Sequence, residues 1–270
     1  MTQDRPTPFP LDTSTAHPAR VYDYILGGKT NYPADQDAGR AMCGGWPSLP
    51  ISMWQNRDFM GRAVAYLARE HGIRQYLDIG TGIPTPPNLH EIAQGVAPDS
   101  RVVYVDNDPI VLTHAQALLD STRQGRTSFL RADLRNPDSI ISSPEVRDTL
   151  DLSQPTVLSV IAVVHFLTDA DDPYGIVRRL MDALPSGSFL ALTTATADSA
   201  PREMTAVARE YTRRNMTLRL RSHEQSRAFF TGLDLVEPGV VLVHHWHPGP
   251  GQVDVPDHDV AMYGGVARKA

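Results

Sequence analysis

Residues 75–108 constrain this chain more than any other stretch. Gln75-Tyr76-Leu77-Asp78-Ile79 is a short apolar run carrying an acid, and Gly80-Thr81-Gly82 follows it directly. A helical segment comes next, and then Val102-Val103-Tyr104-Val105 leads to a second acid, Asp106. Strand, glycine turn, helix and strand make a βαβ unit, whose ligand site lies at the carboxyl ends of its strands. Gly80 and Gly82 let the backbone turn tightly and approach a ligand where a Cβ would obstruct it. Asp106, ending the second strand beside the first, is placed to accept hydrogen bonds from both hydroxyls of a ribose.

The turn departs from a dinucleotide fingerprint. That pattern would put Gly or Ala at position 85, which is Thr85, and its acid about 20 residues on, short of Asp106. Pro84-Thr85-Pro86-Pro87 also delays the helix, which is predicted to start at Asn88 with Glu91 completing a capping box. Its N-terminus is then poorly placed for a pyrophosphate. Asp78, just before the glycines, suits a cation. An adenosine joined to a cationic amino acid, without phosphates, is S-adenosylmethionine.

The order Asp78-Ile79-Gly80-Thr81-Gly82, Asp106, and Arg131-Ala132-Asp133-Leu134 resembles class I S-adenosylmethionine-dependent methyltransferases. The stretch Arg20-Val21-Tyr22-Asp23-Tyr24-Ile25-Leu26-Gly27-Gly28-Lys29-Thr30-Asn31-Tyr32 narrows this further. With Asn56-Arg57 and the closing Tyr263-Gly264-Gly265-Val266-Ala267-Arg268-Lys269, it resembles an actinobacterial family of the DUF574 type with unassigned substrate. The resemblance runs from about Ala19 to the end. It implies a Rossmann-like α/β fold, with a seven-stranded, mostly parallel sheet, helices on both faces and an N-terminal helical cap. It also implies methyl transfer by in-line displacement to an acceptor, with a small molecule expected. Asp78, Gly80, Thr81 and Gly82 would shape the methionine and ribose end, and Asp106 would hold the ribose. Asp133 would meet the adenine edge, with Asn107 and Leu134 flanking the ring. Tyr24, Lys29, Asn31, Asn56 and Arg57 are cap-side candidates for closing the pocket. Two other readings of the βαβ unit are a nicotinamide-nucleotide oxidoreductase and a non-catalytic module that binds S-adenosylmethionine.

Composition sets outer bounds. A chain of 270 residues with 41% apolar content can build one large α/β core. A net charge of −6 argues against nucleic acid and anionic membrane as partners. The single Cys43 excludes an internal disulfide and fits a reducing cytoplasm. The first residues lack the apolar core of a signal peptide, and the longest apolar run, about 157–167, is too short to span a bilayer.

The rest of the chain reads as one domain over 18–270, cap 18–72 and core 73–270, behind a flexible tail at 1–17. Helices are expected over 33–42 and 52–70, the latter with Met53, Met60, Val64 and Leu67 at helical spacing. Arg57 falls on that stripe, so it needs either an ion-pair partner or a polar ligand group. Asp108-Pro109 is an N-cap followed by Pro at the first helical position, opening a helix to about residue 123. Strands are expected over 128–132, 156–162 and 189–193, with a sixth leading up to Val243 and an antiparallel seventh over 261–267. His165 follows the fourth strand near the expected acceptor position, as a candidate general base or a structural histidine. His244-His245-Trp246-His247 reads as a strand extension with His245 and His247 on one face. No cysteine or spaced carboxylate completes a known metal pattern around it, so no metal is expected.

Overall fold

The computed structural model describes residues 12–118, 121–249, 251 and 253–270. Three helices come first: α1 (Pro18–Ile25), α2 (Pro33–Gly45) and α3 (Leu49–Glu70). Then follow β1 (Gln75–Ile79), α4 (Leu89–Val96), β2 (Arg101–Asp106), α5 (Pro109–Leu118) and β3 (Arg126–Arg131). Two short helices, α6 (Pro137–Ile141) and α7 (Pro144–Thr149), lead to β4 (Val157–Val160), α8 (Pro173–Asp182) and β5 (Phe189–Ala195). The chain closes with α9 (Pro201–Arg213), α10 (His223–Arg227), β6 (Asp234–Leu235), β7 (Val241–Leu242) and β8 (Met262–Arg268). One sheet runs in the order β3-β2-β1-β4-β5-β8-β6, parallel through β5, with β8 antiparallel to its neighbours and β7 paired to β8 beside β6.

The apolar runs of the central strands explain why both faces are covered. Every residue of β1, β4 and β5 is buried, as parallel strands under two helical layers require. Alternation then divides the core. Tyr76, Val102 and Val157 face one layer, where α3 contributes Phe59, Ala63 and Leu67. Leu77, Val103 and Leu158 face the other, where α8 contributes Ile176 and Leu180. Because α3 crosses the first face, its amino-terminal half is carried over the carboxyl ends of the strands. That places the cap above the glycine turn.

The local start signals are realised in detail. Asn88 caps α4 reciprocally with Glu91, Ser143 caps α7 through the Val146 amide, and Ser222 pairs with Gln225 at α10. The expected sixth strand is interrupted. Its halves, β6 and β7, lie along the same edge of β8, and residues 237–240 bulge out between them. Pro238 has no amide to give to a ladder, and Gly239 turns with φ 86°. Seven strand positions therefore hold eight strands. The helix expected to run to residue 123 is described to Leu118.

The tail expected over 1–17 lies, for residues 1–11, outside the described residues. Residues 12–17 are tied down rather than free. Asp12 accepts from the Ser14 amide at 2.9 Å, and the Arg20 guanidinium donates to the carbonyls of Asp12 and Thr15 at 3.1 Å each.

Candidate active site

The floor of the site is made by backbone. Gly80 and Gly82 adopt φ of 70° and 66°, a region that L side chains rarely enter. The Gly80 amide donates to the Val105 carbonyl at 2.7 Å, which locks the turn against the end of β2. A Cβ on Gly80 would lie 2.1 Å from Cγ2 of Val163, whereas Gly82 faces open space. The Gly82 amide donates to Oδ2 of Asp106 at 2.9 Å, and the Asp108 amide donates to Oδ1 at 2.9 Å. Each carboxylate oxygen is thereby oriented by one amide and keeps a lone pair for the cavity. Burial pushes the Asp106 carboxyl up, opposed by those two amides and by the nearby His17.

Asp78 lies deeper. Ser159 donates its hydroxyl to Oδ1 of Asp78 at 2.6 Å, a bond made possible because β1 and β4 pair with these two residues in register. Burial nonetheless pushes the Asp78 carboxyl up to about 7, against the Ser159 bond and the positive charge of Arg57. A cation placed beside this carboxylate would restore its charge, so the group suits the ammonium of an amino acid.

The roof comes from the cap. His17, Ala19, Tyr22 and Asp23 of the α1 segment and Asn56, Arg57 and Met60 of α3 line the same cavity as the glycine turn. Asp23 is buried and accepts from the Thr30 amide at 2.9 Å and from Nδ2 of Asn31 at 2.8 Å. Gly28 makes room for it: a Cβ there would fall 2.0 Å from Oδ1 of Asp23. The Tyr22 hydroxyl donates to the Met53 carbonyl at 3.1 Å and accepts from Nδ2 of Asn56 at 3.3 Å. Oδ1 of Asn56 is buried in this cavity wall without a hydrogen-bond partner from the protein. Arg57 donates to the carbonyls of Thr85 and Pro87, the latter at 2.9 Å. It is held by the proline-rich link rather than by a carboxylate, and its charge still reaches Asp78. His17 caps α1 by accepting from the Ala19 amide through Nδ1, which also lies 3.1 Å from Oδ2 of Asp108 at the end of β2.

Ten of the residues singled out by sequence line this one cavity: Asp78, Gly80, Thr81, Gly82, Asp106, Asn107, Asp133, Leu134, Asn56 and Arg57. Asp133 is held by Arg135, whose amide donates to Oδ1 at 2.9 Å and whose guanidinium lies 3.2 Å from Oδ2. Four fall outside the lining. Tyr24 packs against Gly39 and under Arg40, Lys29 is exposed, and Asn31 serves Asp23 and the Gly28 carbonyl. His165 is buried beneath the site and accepts from the Ala195 amide at 3.2 Å through Nδ1. Burial, reinforced by Arg221, pushes its pKa down to about 3 and so disfavours the charged ring. Tyr22 and Asp23 also line the cavity, and the sequence offered them only as part of the N-terminal signature. The available signal was an acid on a buried helical face beside Gly27-Gly28, since a buried acid needs donors close by.

The histidine run also differs from expectation. Residues 243–245 form a single helical turn, so His244 and His245 lie side by side, and Nε2 of His247 reaches the Glu237 carbonyl at 2.6 Å. Among the described residues no helix is long and apolar enough to cross a membrane.

Comparison with known proteins fits this geometry. A family model described as S-adenosyl methyltransferase matches residues 4–270. A DUF574 family protein of Streptomyces avermitilis, solved by crystallography, is 63% identical, with coverage of 96% of this chain and 99% of that one and a TM-score of 0.94. A candidate methyltransferase from Thermobifida fusca is 37% identical, covering 97% and 99%, with a TM-score of 0.87. The plantazolicin methyltransferase BpumL, solved with S-adenosylhomocysteine, shares 12% identity over 93% and 95% of the chains with a TM-score of 0.52, a likeness of fold. No curated protein matches this chain.

Proposed function

From the premise that this chain belongs to the S-adenosyl methyltransferase family, we propose how its own residues hold the cofactor and which acceptor it takes. The chain is an S-adenosylmethionine-dependent methyltransferase, in place of the oxidoreductase reading of its βαβ unit. Asp106 receives the ribose hydroxyls, Asp78 faces the ammonium of the methionine moiety, and Gly80, Thr81 and Gly82 form the wall between them. Asn107, Asp133 and Leu134 surround the adenine. The observation that carries this reading is the Asp106 carboxylate, pinned by the Gly82 and Asp108 amides and open to the cavity.

Bound S-adenosylmethionine supplies an electrophilic methyl group on a sulfonium. The protein's part is to hold an acceptor in line with that group and to keep water out, which accounts for much of the rate in such transfers. Tyr22, Asn56, Met60 and Phe166 give the cavity a mixed polar and apolar wall under the cap. A small-molecule acceptor fits that enclosure. With His165 neutral and outside the lining, no strong base acts from that position. We further propose that residues 18–270 work as one domain, with 18–72 as its cap, in the cytoplasm. The single Cys43 and the family's likeness throughout the chain support this.

Titration calorimetry with S-adenosylmethionine and S-adenosylhomocysteine tests the site. Both should bind the wild type, and Asp106→Ala should weaken both by about a hundredfold, the loss of two charge-assisted hydrogen bonds, while circular dichroism shows a folded protein. Unchanged affinity in the folded variant would remove Asp106 from the site.

A further inference from the structure

The turn after β7 carries His244 and His245 with their rings adjacent, centroids 3.8 Å apart. A separate turn at residues 257–259 brings Asp257 against them. Oδ1 of Asp257 is 3.1 Å from Nε2 of His244 and 2.7 Å from Nε2 of His245. Two imidazole nitrogens and one carboxylate oxygen thus converge, all within 4.8 Å of one another. The sequence places Asp257-His258-Asp259 near the histidines along the chain, and the fold brings Asp257 into contact with His244 and His245.

We propose that His244, His245 and Asp257 form a binding site for a divalent transition-metal ion of the Zn(II) type, which fastens the 257–259 turn to the end of β7. The chemistry of the set selects the class. Two neutral imidazoles and a carboxylate suit zinc and its borderline neighbours, whereas magnesium and calcium prefer oxygen alone. The spacing agrees as well. Bonds of about 2.0–2.1 Å in a tetrahedral shell set donors roughly 3.3 Å apart, and both carboxylate–nitrogen distances lie within a fraction of an ångström of that.

The ligands stand on fixed backbone. Arg62 of α3 donates to the carbonyls of Val243 at 2.6 Å and Trp246 at 2.9 Å, gripping the histidine turn from both ends. The other turn is closed by the Val260 amide on the Asp257 carbonyl at 3.1 Å and held by Ser199, whose hydroxyl donates to the Val260 carbonyl at 2.6 Å. His244 is buried, while His245 and Asp257 are exposed. The open side leaves room for water to complete the shell. His247, engaged with the Glu237 carbonyl, lies outside the set.

The test uses the full chain, stripped with chelator and dialysed, then titrated with zinc chloride alone by calorimetry, with the melting temperature recorded alongside. One zinc ion per chain should bind and raise the melting temperature. His245→Ala and Asp257→Ala, both at exposed positions, should each weaken the affinity at least about tenfold, the loss of one ligand of three. His247→Ala should leave it unchanged, and magnesium should give no heat. Absence of zinc binding to the folded wild type overturns the proposal. So does a fall of less than tenfold in either ligand variant, or an equal loss in His247→Ala.

Discussion

The two halves of the cavity are built on different physical terms. The floor consists of strand ends and backbone amides: the 80–82 turn, Asp78 and Asp106 stand within one βαβ unit and are oriented by bonds inside it or to the adjacent β4. The roof consists of side chains from α1 and α3, whose bonds span tens of residues, as between Tyr22 and Met53 or Asn56. A floor of this kind is rigid and intolerant. A roof held by single side-chain bonds is adjustable. Substitutions in the floor should therefore abolish cofactor binding, and those in the roof should tune it.

The largest effect is expected from Gly80→Ala. The added methyl meets Val163 in a backbone region hostile to L residues, so cofactor affinity should fall by about a hundredfold or more and stability by roughly 1–3 kcal/mol. Calorimetry and thermal unfolding check both. A variant with wild-type affinity would show that the turn is not the rigid element.

Asp78 gives a pH test. Its carboxyl, raised to about 7 when buried, must ionise to meet an ammonium, so cofactor affinity should rise as pH goes from 6 to 8, by about tenfold. Proton release should accompany binding and appear as a buffer-dependent heat. Stability runs the other way. A carboxyl raised in the folded state makes the protein less stable as pH climbs from the ordinary carboxylate range, about 4, to about 7. Asp78→Asn should remove the affinity slope and flatten that part of the stability curve. A slope that persists in the variant would assign it to another group.

In the roof, Asp23→Ala removes the acceptor of Thr30 and Asn31. It should loosen the 27–32 loop and lower stability by about 1–3 kcal/mol, with cofactor affinity falling several-fold rather than a hundredfold. Tyr22→Phe should have the smallest effect. It frees the Met53 carbonyl and leaves Asn56 without its one hydroxyl partner, at about 1 kcal/mol of stability, and cofactor affinity should stay within about threefold. A Tyr22→Phe loss as large as that of Gly80→Ala would erase the distinction between the halves.

The floor was legible because its rules are local. A glycine pair, an acid at each strand end, the Asn88 and Asp108 caps and the apolar runs of β1, β2, β4 and β5 each act over a few residues. The same locality misled at the interrupted edge, where Pro238 and Gly239 overrode the apolar pattern of 233–243. For His165, position along the chain left a general base and a structural histidine both open, and the ring's bond to the Ala195 amide supports the structural reading.

The amino-acid sequence by itself determined the parallel core, the glycine turn and the acids at the strand ends, since hydrophobic period and backbone permissiveness are properties of short stretches. Tertiary structure alone decided that Tyr22 and Asp23 roof the cavity, that Lys29 and Asn31 do not, and that Asp257 meets His244 and His245. Those outcomes depend on how α1, α3 and the late loops pack onto the sheet, and the direction of a side chain across such a contact is set by the packing of both partners.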